Sequence, residues 1–195
     1  NVVKRVHDGR VIRINIRKHA GRWYATLTVE RGDEPARHIT KPDAVIGIDL
    51  GVKELATFSD GTVISNPRYY KHGRRKLAHA QKRLSRRMKG SKRYGKAREQ
   101  VARYHAHVAN QRRDTLDKLT TGIIREYGTI IIEDLNVQGM TRNHHLAGSI
   151  LDAGFHEFRR MLEYEALLNG NTVQVADRWY PSSKTCNSCG SVKAK

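Results

Sequence analysis

The chain has 195 residues, with 37 Lys or Arg against 19 Asp or Glu and a formal net charge of +18. That length holds one ordinary domain with a real core, or one domain plus small appendages, and the charge is the footprint of a phosphate-binding protein, so a polyanionic partner is the default. No apolar run approaches the roughly 20 residues that cross a bilayer, and no charged-then-apolar signal opens the chain, so the sequence reads as soluble and intracellular with no membrane partner.

In chain order, "VIRINI" alternates strictly, and "RWYATLTVE" after the turn signal "HAG" is β-branched and aromatic. The pair predicts an antiparallel hairpin. The charged stretch "RGDEPARHITKPD" follows and places a boundary near Pro42. "AVIGIDLG" is a short apolar strand, and "ELATFSDGTVIS" adds two strand-like runs joined at "SDG", a turn that supplies a positive φ cheaply. Three consecutive antiparallel strands are expected here.

From Arg68 to Arg113 there are 17 Lys or Arg and one acid, Glu99. Helical spacing of apolar residues runs through Val101, Tyr104, Val108, Leu116, Leu119, Ile123 and Tyr127, with an interruption around Gln111 and Arg112. Gly90 and Gly95 are expected to break the region into two or more helices. "TIIIEDL" then reads as an apolar strand of a parallel sheet covered on both faces. The polar loop "NVQGMTRNHHLAGS" leads to a helix, "ILDAGFHEFRRMLEYEALLNG", with apolar positions Leu151, Phe155, Phe158, Leu162 and Ala166, stopped at "NG". "NTVQVAD" is a further strand. The order predicts a mixed α/β fold.

Two acids end inner strands: Asp49 in "VIGIDLG" and Glu133 in "TIIIEDL". If those strands are neighbours, both carboxylates can converge beyond the sheet edge on a divalent metal. A pair of metals about 3.5 to 4 Å apart can activate water and stabilise the leaving oxygen in phosphodiester cleavage. Asp134 competes with Glu133, because adjacent strand residues point to opposite faces and alternation alone does not choose. Asp152 reads as first-turn helix chemistry and Asp177 as a strand-end acid. Asp60 reads as turn chemistry. "GIDLG" also suits an actin-like ATPase, although no further glycine-rich phosphate turn is found.

The basic region from 68 to 113 is too one-sided for a salt-bridged surface, since like charges at i, i+4 repel unless phosphates neutralise them. Arg68, Lys71, Arg74, Arg75, Lys76, Lys82, Arg83, Arg86, Arg87, Lys89, Lys92 and Arg93 are the candidate nucleic-acid contacts. Tyr69, Tyr70, Tyr94 and Tyr104 interleave with them and can stack on bases, with core packing the alternative for Tyr104. The only two cysteines, Cys186 and Cys189, form a C-x-x-C-G knuckle suited to Zn²⁺. No Cys or His follows them, so the site is expected to be incomplete. The chain starts without Met at Asn1 and stops at Lys195 just after the knuckle, and both ends look cut.

"IGIDLGVKELATFSDG", "IIIEDLNVQGM" and "WYPSSKTCNSCG", in that order, resemble the TnpB-like RuvC nucleases of insertion sequences and the related compact type V CRISPR effectors. The resemblance covers residues 45 to 190. It implies an RNase H-like fold that cuts DNA under the direction of a guide RNA, with Mg²⁺ or Mn²⁺ at three acids. Asp49 matches the first acid and Glu133 the second. The third normally follows the zinc ribbon in an Arg-Asp-x-Asn segment, so this stretch alone is expected to be weakly active or inactive. The implied organisation is residues 1–43 as the last strands of an oligonucleotide-binding-like wedge barrel, 44–178 as the RuvC domain and 179–195 as half a zinc ribbon. The implied partners are guide RNA, target DNA and their heteroduplex, in a prokaryotic cytoplasm and at the nucleoid when bound to DNA. A non-catalytic DNA- or RNA-binding transposon accessory or repressor is the alternative.

Overall fold

Residues 9–30, 38–177 and 191 are described by the computed structural model. The alternating segment forms β1 (Arg10–His19) and β2 (Arg22–Glu30), an antiparallel pair whose register runs from Arg10↔Glu30 to His19↔Arg22. Ala20 and Gly21 both take positive φ, 49° and 77°. Positive φ at both turn positions matches the right-handed twist of the flanking strands, which is why a two-residue turn closes this hairpin.

The remaining strands are β3 (Lys41–Leu50), β4 (Glu54–Phe58), β5 (Val63–Ser65), β6 (Tyr127–Glu133) and β7 (Thr172–Ala176). They form one five-stranded mixed sheet in the order β5-β4-β3-β6-β7. The first three strands are an antiparallel meander, and β6 and β7 run parallel to β3. The helices are α1 (Tyr69–Ser85), α2 (Lys92–Glu126), α3 (Val137–Met140), α4 (His144–Ala153) and α5 (Phe155–Asn169). Two compact units result, Asn1–Arg37 with Arg68–Thr115, and His38–Pro67 with Leu116–Lys195.

In the first unit α1 and the first part of α2 form an antiparallel pair. The hydroxyls of Tyr69 and Thr115 meet at 2.7 Å, and Leu77, Ala80 and Ala97 are buried. Between the helices the chain turns at Gly90, φ 87°. Ser91 then accepts a hydrogen bond from the Tyr94 amide at 3.0 Å, capping the start of α2.

In the second unit, Ile46, Ile48 and Leu50 alternate along β3 and Ile130 and Ile132 along β6, all buried. Period-2 alternation puts them on one face of the sheet. That face packs with Leu116, Ile123 and Ile124 of α2, Ile150 and Ala153 of α4, and Phe158, Leu162 and Ala166 of α5 in a single core. Thr120, 0% exposed, donates to one oxygen of Glu165 at 2.8 Å, and Thr121 to the other at 3.0 Å, tying α2 to α5. Asn171 Nδ2 donates to the carbonyls of Ile124 and Tyr127 and so fixes the junction of α2 with β6.

The expected hairpin, meander and strands are present, and several expectations need correction. α2 is one 35-residue helix with no interruption at Gln111 and Arg112, and Gly95 lies inside it. Tyr127 opens β6 and does not belong to the helix. Pro42 is inside β3. The loop before α4 contains the single turn α3, and α4 starts at His144 with the Asn143 side chain accepting from the His145 amide. What reads as one helix is two, because Gly154, φ 73°, caps α4 and starts α5. Leu151 is accordingly 60% exposed, and Asp152 sits in the last turn of α4 and not in a first turn. The second face of the sheet is not fully covered, with Val45 57% exposed. Among the described residues, no helix is long and apolar enough to cross a membrane.

Candidate functional site

β3 and β6 are parallel partners with Ile46↔Ile130, Gly47↔Ile131 and Ile48↔Ile132 in register. Asp49 and Glu133 are the next residue on each strand, and alternation turns both away from the isoleucine core onto the same face. Each side chain is exposed, and among the described residues neither has a hydrogen bond or an ion pair. Partial burial at the strand end, followed by the nearby charge of Asp49, raises the Glu133 carboxyl above the usual glutamate range. Two uncompensated carboxylates that feel each other's charge are an electrostatic cost in the folded chain.

Asp134 has a different environment. Its Oδ1 accepts from Arg159 on α5 at 3.1 Å, and Arg159 also donates to Glu163 at 2.8 Å. The guanidinium shared between these acids is itself held above the usual arginine range, chiefly by Glu163. Asp134 is therefore a structural ion-pair partner on the helix side, whereas Glu133 stands beside Asp49. Asp177 follows Ala176, the register partner of Glu133. Asp152 is buried in α4. No group of three or more His, Cys, Asp or Glu with metal-holding geometry occurs among the described residues. Cys186 and Cys189 lie outside them.

Asp60 sits in the β4–β5 turn, where Oδ1 accepts from the Thr62 amide at 2.9 Å and Oδ2 from the Tyr127 hydroxyl at 3.0 Å. The Thr62 amide lowers its carboxyl below the usual range, while burial, and then Asp60, raises the Tyr127 phenol. Tyr127 opens β6 and Glu133 closes it, so this turn acid stands at the opposite end of the strand from the candidate site. The Tyr127 contact was not legible in sequence.

In the first unit the twelve candidate phosphate contacts, Arg68, Lys71, Arg74, Arg75, Lys76, Lys82, Arg83, Arg86, Arg87, Lys89, Lys92 and Arg93, are all exposed. They lie along α1, its turn and the start of α2. Tyr69, Tyr94 and Tyr104 are half-buried and Tyr70 is exposed. A cavity lies between α1 and α2, lined by Tyr69 and Tyr104 and by His72, Arg103 and His107, which the sequence reading did not single out. The available signal was polar residues at helical spacing, where a helix pair ordinarily places aliphatic ones.

Residues 26–144 match the family model OrfB_IS605, described as probable transposase, and residues 155–195 match the Cas12f1-like TNB domain. Relatives that each bear the name "Putative RNA-guided DNA endonuclease" come from Streptomyces pristinaespiralis, 45% identical over 92% of this chain and 44% of that protein, and from Escherichia coli K12, 34% identical over 93% and 48%. One from Mycobacterium tuberculosis is 36% identical over 94% of this chain and 42% of its own length. The chain thus spans less than half the length of these curated relatives. A cryo-EM structure of a Cas12f1–sgRNA–target DNA complex shares the fold with a TM-score of 0.60 at 16% identity, over 98% of this chain and 41% of that one. This chain belongs to the OrfB_IS605 transposase family, the TnpB-like group to which its three motifs pointed.

Proposed function

We infer that this chain is the catalytic portion of an RNA-guided, metal-dependent DNA endonuclease, with the five-stranded unit serving as a RuvC-type, RNase H-like nuclease domain. The observation that carries the reading is the register of β3 and β6, which sets Asp49 and Glu133 side by side on one sheet face without a protein cation among the described residues. The pair fits Mg²⁺ or Mn²⁺, since it offers hard oxygen donors whose mutual repulsion a divalent cation relieves. When bound, Mg²⁺ supplies Lewis-acid chemistry to a phosphodiester. Asp49 and Glu133 would hold it at the sheet end, and Glu133 would have to be deprotonated to do so. The exposed cations of α1 and the start of α2 bind the phosphates of guide RNA, target DNA and their heteroduplex by charge and shape, without reading bases.

The test is guide-programmed cleavage of a target duplex in Mg²⁺ by the whole polypeptide that contains these residues. Asp49→Ala and Glu133→Gln are expected to abolish cleavage while nucleic-acid binding persists. Binding without any cleavage by the unaltered protein would favour a non-catalytic transposon accessory instead.

A further inference from the structure

The seam between α1 and α2 holds a cavity of 420 Å³, within the roughly 300–1,000 Å³ of small-molecule sites. Tyr69, His72 and Lys76 line it from α1, and Arg103, Tyr104 and His107 from α2. His72 and Lys76 follow Tyr69 at steps of three and four residues, and His107 stands three from Tyr104 and four from Arg103, the positions that face a partner helix; Leu77 and Val108 line the cavity as well, so polar and aromatic side chains share the seam with aliphatic ones. Gly73 draws the helices together beside it, since a Cβ there would stand 3.1 Å from Val108 Cγ2.

The lining is layered. Leu77 is buried and the two tyrosines are half-buried, whereas His72, Lys76, Arg103 and His107 are exposed. No carboxylate lines it among the described residues. Two of the lining side chains are held in place. The Tyr69 hydroxyl is bonded to Thr115 at 2.7 Å, and the Arg103 guanidinium pairs with Glu99 while its Nε donates to the Ala20 carbonyl at 3.4 Å. A ligand that fits has flat apolar faces, polar edges and an adjoining negative charge.

We propose that this cavity takes one unpaired nucleobase of a single-stranded nucleic acid, stacked against Tyr104, with the flanking phosphate met by Lys76. The proposal rests on the phosphate-binding reading of α1 and α2, because the surrounding exposed cations bring the backbone to the cavity mouth. Aromatic rings stack on any base, so the site confers a requirement for a base and not for a sequence.

The experiment measures binding of the 195-residue chain to short single strands carrying either one central 2-aminopurine or an abasic residue at that position, as RNA and as DNA. The intact strand should bind about tenfold more tightly than the abasic one, with quenching of 2-aminopurine fluorescence. Tyr104→Leu, which keeps apolar volume, should erase the difference and the quenching, and His107→Ala at the exposed rim, a variant that leaves the half-buried tyrosines in place, should reduce both. The arm, RNA or DNA, in which discrimination appears assigns the strand. Equal binding of intact and abasic strands in both arms overturns the proposal and leaves phosphate binding standing. Failure of every strand to bind overturns both.

Discussion

Asp49 and Glu133 each follow one member of the register pair Ile48↔Ile132, so two carboxylates from parallel strands stand side by side on the face opposite the core. Burial, and then the Asp49 charge, raises the Glu133 carboxyl above its ordinary value. In chelator, an NMR titration should find Glu133 titrating above a free glutamate, and Asp49→Asn should lower the midpoint only part of the way, because burial is the larger cause. The linkage sign follows. Between the unfolded and the raised folded value the native chain holds the extra proton, so this contribution to stability is present at low pH and lost as pH rises through the folded value. Glu133→Gln should remove that component. An ordinary midpoint for Glu133 would contradict the placement.

The polar tie between α2 and α5 gives a prediction about the core. Thr120 is fully buried and donates to the Glu165 carboxylate. Thr120→Val keeps the shape and removes a hydrogen bond to a charged acceptor, which should cost about 1.5–3 kcal/mol in denaturant unfolding. A neutral result would mean that Thr121 alone satisfies Glu165.

Much of this was legible in the residues, for reasons that differ by element. The alternation of "VIRINI" and the "SDG" turn are local signals, and β1, β2, β4 and β5 formed where they pointed. Asp60 is a turn acid for the same reason, with its carboxylate bound by an amide two residues on. Non-local outcomes were less visible. Gly95 did not break α2, because a glycine costs a helix interior only about 1 kcal/mol and packing overrides it. The pairing of Asp134 with Arg159, a residue of α5 twenty-five positions away, could not be read from strand alternation. The helix pattern read through Gly154 because Phe155, Phe158 and Leu162 keep helical spacing, while the positive φ that separates α4 from α5 leaves no mark on periodicity.

Gly154 supplies its own test. At φ 73° an alanine carries the left-handed penalty, so Gly154→Ala should destabilise the fold by about 1–2 kcal/mol in denaturant unfolding. Unchanged stability would mean that α4 and α5 can merge into one helix.

The exposed cations predict a salt response. Replacing Lys82 and Arg83 together by Ala should weaken single-strand binding equally across sequences and lower the slope of log affinity against log salt by about 0.7 for each lost phosphate contact. An unchanged slope would place the phosphate path elsewhere.

The central claim is that Asp49 and Glu133 hold a divalent metal, and Mn²⁺ binding to this chain followed by its effect on water proton relaxation tests it most directly. Binding should weaken as pH falls toward the raised Glu133 value, be lost in Asp49→Asn and in Glu133→Gln, and persist in Asp134→Asn, whose carboxylate pairs with Arg159. Binding that survives both Asp49→Asn and Glu133→Gln, or that is lost with Asp134→Asn alone, would contradict it.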